Sequence, residues 1–273
     1  MAADMHMHTY YSDGLLSPEE LFKKGKKAGL QAMVVTDHDN FFAYKEVAAA
    51  ADSLGIRTFP GMEISTSYNG KEIHLLAYNF NTSDKALNEY VLKYKDKRKD
   101  RAYQMLNKLR GNGMDRLSTD QMDTYIGKGV YGRPHVARCL LENGYVTSIK
   151  EAFDNYLTFG RKGFVKMNLI DTVEAIKLVK RAGGVSSIAH PGRHIMPKTI
   201  YRLLHKGLDG IEYIHPAHRG ELTQNYTDLV NRHWMVGTGG SDYHGSKPID
   251  EENFGTYIVP ISRFDAIKKK GYN

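Results

Sequence analysis

Residues 32–39 read Ala-Met-Val-Val-Thr-Asp-His-Asp, an apolar run that ends on three ionisable side chains. Six further runs of this kind are spread along the chain, and all seven carry His, Asp or Glu at or near the same end. A short apolar run bounded by turn residues predicts a buried strand. The seven predicted strands cover residues 3–9, 32–37, 57–64, 72–78, 185–190, 210–214 and 235–241.

Amphipathic stretches of helix length separate most of these strands. Ser17, Pro18 and Glu20 open the first of them with an N-cap, a proline at the first helical position and a capping box. A later helix is predicted to begin at Asp171 and to end before Gly183-Gly184. Strands that alternate with helices predict an α/β fold in which parallel strands carry their helices on the outside.

One segment, residues 84–165, interrupts this alternation because it contains no convincing strand. We interpret it as a mainly helical insertion into a barrel domain formed by residues 1–83 and 166–273. Without the insertion, each of the seven strand units has about 27 residues, close to a compact βα repeat of a TIM-like barrel. The sequence therefore predicts a (β/α)7 barrel with a helical insertion domain.

The insertion also carries most of the chain's excess charge. The whole chain has 38 Lys+Arg and 31 Asp+Glu, a formal net charge of +7. Within residues 84–165 there are 16 basic and 10 acidic side chains, a balance of +6. Two interpretations stay open for this excess: a solvated helical face, or a basic wall that faces an anionic substrate.

Composition excludes several classes of protein. The single cysteine, Cys139, cannot form an intramolecular disulfide, which favours the reducing cytoplasm. No window approaches the roughly 18 uninterrupted apolar residues of a membrane span, and the first residues lack the features of a signal peptide. We therefore expect a cytoplasmic protein with no membrane partner.

The ionisable residues at the strand ends form a candidate metal site. His6 and His8 lie two apart on a strand and so share one face, while Asp13 follows in a turn. A single buried histidine is more often a hydrogen-bonded core residue than a ligand, but seven strands with such residues at the same end favour a metal site. The candidate ligands are six histidines and three carboxylates: His6, His8, His38, His74, His190, His244, Asp13, Glu63 and Asp242.

The residue types in this set indicate the class of metal and the chemistry. Imidazole and carboxylate ligands without a thiolate suit Mn²⁺, Fe²⁺ or Zn²⁺. Nine ligands exceed the needs of one ion and fit two or three ions that leave positions open for water and substrate. Clustered ions of this kind are the apparatus of phosphoester hydrolysis.

The motifs around these residues resemble the PHP (polymerase and histidinol phosphatase) family of phosphoesterases. They are His6-Met7-His8, Ser12-Asp13-Gly14, Thr36-Asp37-His38-Asp39, Gly61-Met62-Glu63, His74, Ala189-His190-Pro191-Gly192 and Ser241-Asp242-Tyr243-His244. The resemblance implies a distorted seven-stranded barrel with three divalent metal ions (Mn, Fe or Zn) at its mouth. It also implies a hydrolase that cleaves phosphoric ester bonds with a metal-activated hydroxide.

The resemblance further divides the nine residues among the three ions. It assigns the first ion to His6, His8, Glu63 and Asp242. It assigns the second ion to Glu63, His74 and His190, and the third to Asp13, His38 and His244.

The insertion narrows the resemblance to one branch of the family. Tyr131-Gly132-Arg133-Pro134-His135 is similar to a capping insertion in the branch that acts on nucleotides and RNA ends. This implies hydrolysis of phosphate monoesters of nucleotides, either nucleoside monophosphates or 3′,5′-bisphosphates. The alternatives are a 5′-3′ exoribonuclease on short single-stranded RNA, a histidinol phosphate phosphatase, and a non-catalytic PHP module that binds nucleic acid.

Arginines and histidines outside the ligand set are candidates for substrate contacts. Arg133 offers a forked donor suited to phosphate, and His135 stands two residues away, although this segment also reads as a helix cap. Arg193 directly follows the His190 turn. For His215 and His218 the roles left open are to orient metal ligands, to bind substrate or to protonate the leaving oxygen.

We therefore expect catalytic roles for Asp242, Glu63, His215 and Arg193. We expect substrate contacts from Arg133, His135, Arg193 and His218. A separate expectation concerns the aromatic residues: Trp234, Tyr10 and Tyr11 either stack on a base or pack within the fold.

Overall fold

The computed structural model describes residues 2–272. Its strands are β1 (Ala2–Met7), β2 (Ala32–Val35), β3 (Gly61–Tyr68), β4 (Lys71–Tyr78), β5 (Ile170–Asp171), β6 (Val185–Ile188), β7 (Gly210–Ile214), β8 (Val236–Gly239) and β9 (Val259–Pro260). Its α-helices are α1 (Pro18–Lys27), α2 (Tyr44–Leu54), α3 (Lys85–Arg110), α4 (Thr119–Asp123), α5 (Arg133–Glu142), α6 (Ile149–Ala152), α7 (Thr172–Arg181), α8 (Pro197–Leu204), α9 (Glu221–Arg232), α10 (Pro248–Asn253) and α11 (Ile261–Lys270). One π-helical turn, Phe153–Leu157, follows α6.

The strands form two sheets. Six strands pair in the order β5-β3-β4-β6-β7-β8, and three pair in the order β2-β1-β9. Isolated bridges link the sheets on both sides of β1–β2: Met7 pairs with Tyr243, and His38 pairs with Glu63. The α/β class predicted from sequence is confirmed, whereas a closed barrel of seven parallel strands is not, because nine strands lie in two mixed sheets.

A tight turn explains the main departure from the predicted parallel arrangement. Asn69 and Gly70 have φ angles of +50° and +77°, and they join β3 to β4 as a two-residue hairpin. Asn-Gly favours this turn because both residues tolerate the left-handed conformation. β4 therefore runs antiparallel to β3 and to β6, and the prediction of seven parallel units is wrong at this strand. His74, in the first half of the reversed strand, lies opposite Ser65.

Local signals in the sequence place the helix ends correctly. Ser17 caps α1 and forms the predicted capping box with Glu20. Asp171 accepts hydrogen bonds from the first amides of α7, which ends at Arg181 before the positive-φ Gly183. Both predictions are confirmed because capping depends only on residues within one turn.

The described part of the segment 84–165 contains helices α3 to α6 and no strand. α3 has 26 residues and so spans about 39 Å. The buried side chains of α3's second half pack with α4 to α6 in a separate hydrophobic cluster that runs from Ala102 to Leu157. The sheets, the first half of α3 and the helices outside this segment bury two other clusters. None of the described helices is both long and apolar enough to cross a membrane.

Candidate metal centre

The nine candidate ligands converge at one edge of the sheets. Five of them lie within five residues after the end of β1, β2, β6 or β8, namely His8, His38, His190, Asp242 and His244, and His6 is the penultimate residue of β1. β3 begins at Gly61, later than the predicted strand 57–64, so Glu63 lies near the start of its strand and not at its end. β3 carries Glu63, the reversed strand β4 carries His74, and the loop after β1 carries Asp13. Eight of the nine lie in overlapping clusters whose ligand atoms are within 4.8 Å of one another: His6, His8, Asp13, His38, Glu63, His74, Asp242 and His244. The ninth, His190, contacts Glu63.

Glu63 is the centre of this arrangement and is only 1% exposed. Its Oε1 lies 2.8 Å from His74 Nδ1 and 2.9 Å from His190 Nε2. Its Oε2 lies 3.1 Å from His38 Nδ1 and 3.4 Å from His6 Nε2. One carboxylate thus faces imidazoles on both of its oxygens, which is the geometry required of a residue that bridges two metal ions.

His6, His8, Glu63 and Asp242 have the spacing of ligands that share one ion. The four nitrogen–oxygen distances between the two histidines and the two carboxylates are 3.1, 3.2, 3.3 and 3.4 Å. Ligands bonded at about 2.1 Å to a tetrahedral or octahedral ion are separated by roughly 3.0–3.4 Å. The residues present therefore fit a divalent ion.

A second cluster brings together His8, Asp13, His38 and His244. His244 Nε2 lies 3.3 Å from Asp13 Oδ1, and His38 Nε2 lies 3.9 Å from Asp13 Oδ2. His38 turns its other nitrogen to Glu63, and a third cluster contains His38, Glu63 and His74. The cluster of His6, His8, Glu63 and Asp242 holds the residues that the resemblance gives to the first ion, and the second cluster holds those of the third ion together with His8. In the third cluster His38 stands where His190 was expected, and a fourth cluster contains His6, Glu212 and His215.

Several polar atoms in the centre are buried and have no hydrogen-bond partner among the described residues. They include His6 Nε2, Asp13 Oδ1, His38 Nδ1 and Glu63 Oε2. A buried polar atom without a partner destabilises the fold, so such atoms are rare and call for an explanation. Cations bound in the overlapping clusters of candidate ligands would give these atoms a partner.

Burial and charge together set the ionisation of these groups. Burial alone would lower the pKa of His8, but the carboxylates of Asp242 and Glu63 outweigh it and raise that pKa to about 10. Burial likewise opposes charge on Glu63, yet the surrounding histidines hold its pKa well below the usual range. For His38 burial dominates and lowers the pKa to about 3. Glu63 is thus ionised and His38 is neutral, the forms in which these groups bind metals, whereas His8 has to lose a proton when it binds an ion.

The backbone at the centre is strained. Asp39, His190 and Asp242 have φ angles of +47°, +26° and +53°, in a region that non-glycine residues rarely adopt. Two of the three are candidate ligands, and the third adjoins His38. Such conformations persist where the surrounding structure fixes them, and they cluster at functional sites.

Glu212 is a part of the centre to which the sequence analysis gave no role. It is fully buried at β7, accepts a hydrogen bond from His6 Nδ1 at 3.0 Å and accepts another from the His190 amide at 2.7 Å. A bond at Nδ1 leaves His6 Nε2 free for a metal. The available signal was a glutamate inside the apolar strand Gly210–Ile214, where only a paired carboxylate is tolerated.

Arg98 and Asp39 form a buried ion pair that connects α3 to the centre. Arg98 donates to Asp39 Oδ2 from Nε at 2.8 Å and from Nη2 at 2.5 Å. It also donates to Ser65 Oγ and to the carbonyl of Tyr131. The Asp39 amide donates to the carbonyl of Glu63, so the pair fixes the backbone between two candidate ligands.

Two cavities border the cluster of ligands. The first, of about 760 Å³, is bounded by Asp13, His38 and His74 on one side and by residues of the insertion on the other. The second, of about 500 Å³, is bounded by His190, Arg193, His194, His215 and Asp242, together with Gly192 and Ala217. Arg133 lines the first cavity and Arg193 the second.

The other predicted site residues have different placements. His215 lies in the centre, with Nε2 at 3.4 Å from Asp242 Oδ2. His218 is 3% exposed, accepts from the Gly192 amide and donates to the carbonyl of Tyr213, so both ring nitrogens bond to the backbone. His135 accepts a hydrogen bond from the Gly132 amide at Nδ1, which is the helix-cap alternative.

Comparisons with known proteins agree with this geometry. The PHP domain profile matches residues 4–172. A 5′-3′ exoribonuclease from Haemophilus influenzae is 31% identical over 88% of this chain and 89% of that protein. A 3′,5′-nucleoside bisphosphate phosphatase from Chromobacterium violaceum is 30% identical over 88% of this chain and 86% of that protein.

A solved structure is similar over nearly its whole length. It is a protein from Bifidobacterium adolescentis with the provisional name metal-dependent phosphoesterase, 26% identical in sequence. The superposition has a TM-score of 0.92 and covers 99% of this chain and 96% of that one.

Proposed function

The chain belongs to the PHP domain family of phosphoesterases, and from this premise we propose that it hydrolyses phosphate monoesters of nucleotides, nucleoside 3′,5′-bisphosphates above all. The observation that carries the proposal is the 760 Å³ cavity between the metal centre and the insertion. Its volume falls within the roughly 300–1,000 Å³ of small-molecule sites.

Apart from the candidate ligands, the charged side chains that line this cavity are mostly basic. They are Arg98, Arg101, Arg133 and Lys166, with Glu72 as the acidic member. Burial, followed by the charges of Arg133 and Arg98, lowers the pKa of Arg101 to about 10. Like charges held together in a partly desolvated cavity favour an anion between them. A second phosphate, remote from the one that is hydrolysed, satisfies this requirement.

Aromatic residues of the same cavity support a nucleoside between the two phosphates. Phe159 is 84% exposed although it is a large apolar side chain, and its ring lies 5.6 Å from that of Phe164. Both rings line the cavity. An exposed phenylalanine beside cationic side chains is a suitable surface for a base to stack on.

The donor set supports three divalent ions of the Mn, Fe or Zn type. His6, His8, Glu63 and Asp242 would hold one, Glu63, His74 and His190 a second, and Asp13, His38 and His244 a third. When bound, the ions make a water molecule nucleophilic at neutral pH and neutralise charge on the phosphoryl oxygens.

The protein's own side chains supply the remaining functions. The Ala217 amide donates to His215 Nδ1 at 3.0 Å, so a neutral His215 carries its proton on Nε2, which faces the centre. That atom is placed to give its proton to the leaving oxygen. Arg133 and Arg193, one in each cavity, bind phosphoryl oxygens through their forked donors. Asp242 and Glu63 act as ligands and therefore as essential residues.

The same proposal includes the division into domains, the barrel and the cellular location that the sequence predicts. Residues 84–165 act as a cap over the centre, and their separate hydrophobic cluster supports this division from residues 1–83 and 166–273. Seven of the nine strands, all except the two-residue β5 and β9, would form a distorted barrel through the bridges between the two sheets. The single cysteine, Cys139, supports a location in the reducing cytoplasm.

A side-by-side assay with Mn²⁺ tests the proposed substrate. We expect adenosine 3′,5′-bisphosphate to exceed histidinol phosphate in kcat/KM by at least about tenfold, or roughly 1.4 kcal/mol of transition-state stabilisation. Arg101→Met should reduce this preference, whereas Arg138→Met, an exposed arginine of the same insertion, should not. Equal rates for the two compounds would show that the basic side chains of the cavity do not bind a second phosphate.

A second candidate function is the removal of nucleotides from short RNA. The observation that favours it is the second cavity at His190, Arg193 and Asp242, through which a chain could continue past the centre. A 5′-phosphorylated tetranucleotide distinguishes the two candidates. Release of mononucleotides at a kcat/KM comparable to that for the bisphosphate supports the exonuclease, and release of phosphate alone supports the phosphatase.

A further inference from the structure

A basic surface lies at the opposite ends of the strands from the metal centre. Four cations and two aromatic rings define it, and we call it the underside patch. Its members are Lys180, Arg202, Lys206, Arg232, His233 and Trp234. All six are exposed.

Packing at the start of β7 and β8 brings these residues together. The Val236 amide donates to the carbonyl of Asp209 at 3.0 Å, which places the turn after α9 beside the turn after α8. The rings of His233 and Tyr201 lie 4.9 Å apart, which joins the ends of the same two helices. Lys180 Nζ lies 3.9 Å from the position that a Cβ on Gly207 would take, so α7 borders the patch as well.

The four cations of the patch have no acidic partner at salt-bridge distance among the described residues. Residues 193–208 contain no Asp or Glu. The first acid that follows, Asp209, is already bonded to Lys270 at 2.8 Å and to Ser186. An anionic partner therefore meets free cations here.

The exposure of Trp234 is a second observation, independent of the charges, that indicates a ligand at the patch. It is the only tryptophan of the chain, it is 94% exposed, and its φ of +51° is strained for a bulky residue. The helix dipole accounts for basic residues in the last turns of helices. It does not account for an indole held in solvent at a position that favours glycine.

We propose that the underside patch binds single-stranded RNA outside the catalytic cavity. Proteins bind single strands by combining cations that follow the phosphates with aromatic rings on which bases stack. The patch offers both, with Trp234 as the stacking ring. A membrane surface is disfavoured because an interfacial site needs a broad apolar face, and the patch has one exposed apolar side chain. The role of this surface is to hold RNA at a place distinct from the site of hydrolysis.

The single tryptophan allows a direct test by intrinsic fluorescence. A 5′-hydroxyl, 2′-O-methyl oligouridine is titrated into the protein, so that binding is measured without hydrolysis. We expect saturable quenching of Trp234. Neutralisation of four phosphates on a single strand predicts a slope of about −3 for log K against log salt concentration.

Charge-swap variants give the matched comparison. Arg202→Glu/Arg232→Glu should weaken binding at least about tenfold, and Lys27→Glu/Lys45→Glu, with two exposed lysines elsewhere, should not. Trp234→Ala, measured by anisotropy of a labelled strand, should also bind more weakly. Hydrolysis of a mononucleotide should be unchanged in all three variants.

Three results would overturn the proposal. They are absence of quenching, equal loss of affinity in the two charge-swap pairs, and equal quenching by vesicles of phosphatidylglycerol. The last result would make the patch a general anion surface or a lipid contact rather than an RNA site.

Discussion

The buried pair of Arg98 and Asp39 yields the sharpest quantitative prediction. Arg98 is 8% exposed and Asp39 is fully buried. In Arg98→Met the carboxylate of Asp39 stays in the interior and loses two charge-assisted hydrogen bonds. It keeps the hydroxyl of Tyr90 at 2.6 Å and the amide of Ser65 at 2.9 Å as donors.

The size of the effect follows from these contacts. Removing one partner of a buried ion pair costs about 3–5 kcal/mol, and two charge-assisted hydrogen bonds of about 1.5–3 kcal/mol each give a similar figure. Because Asp39 keeps two donors, we expect a loss of about 3 kcal/mol in the free energy of unfolding. The double variant Arg98→Met/Asp39→Asn should recover much of it, since no uncompensated charge is then buried.

Urea denaturation followed by circular dichroism measures the change. The control is Arg110→Met, an exposed arginine of the same helix without an ion pair among the described residues, for which we expect a change within about 0.5 kcal/mol. Arg98→Met should also lose metal to a chelator more readily, because Asp39 lies between His38 and Glu63. If Arg98→Met were no less stable than Arg110→Met, the proposed coupling of α3 to the centre would be wrong.

Three further predictions concern the metal centre. Asp242→Ala should abolish hydrolysis and reduce the metal content while circular dichroism stays close to that of the unaltered protein; full activity after chelation, with no bound metal by elemental analysis, would falsify the metal site. Glu212→Gln should weaken metal binding by about 10–100-fold, because the bond that orients His6 is weakened; a chelator competition titration measures this, and an unchanged affinity would leave Glu212 a purely structural role. His215→Ala should lower kcat by about 10²–10⁴-fold with metal retained, and the loss should be smaller for a substrate with a good leaving group such as p-nitrophenyl phosphate; an equal loss on both substrates would rule out proton donation by His215.

Much of the fold and the ligand set could be read from the sequence because the signals are local. An apolar run that ends on an ionisable residue predicts a strand and also the edge at which its side chain lies. The helix starting at Pro18 was predictable from its cap for the same reason. These features depend on neighbours within a few positions, so the printed chain contains all the information they require.

The direction of β4 departs from the predicted parallel arrangement, although the signal for its hairpin is local. Asn69-Gly70 is a strong turn signal, and it reverses β4. The reversal still brings His74 to the centre, because the start of an antiparallel strand lies at the same edge as the ends of its parallel neighbours. The position of His74 was therefore predicted correctly from an incorrect direction of its strand.

Other features were decided only by the tertiary structure. Arg98 and Asp39 are 59 positions apart, and Glu212 and His6 are 206 apart, so no periodicity or cap links them. The sequence predicted a substrate contact for His218, and only the packing shows that both of its ring nitrogens bond to the backbone. Residue types and local patterns determined which side chains could bind metal; which of them meet, and what else surrounds them, depended on how the chain packs, because a buried charge selects partners by distance in space rather than in sequence.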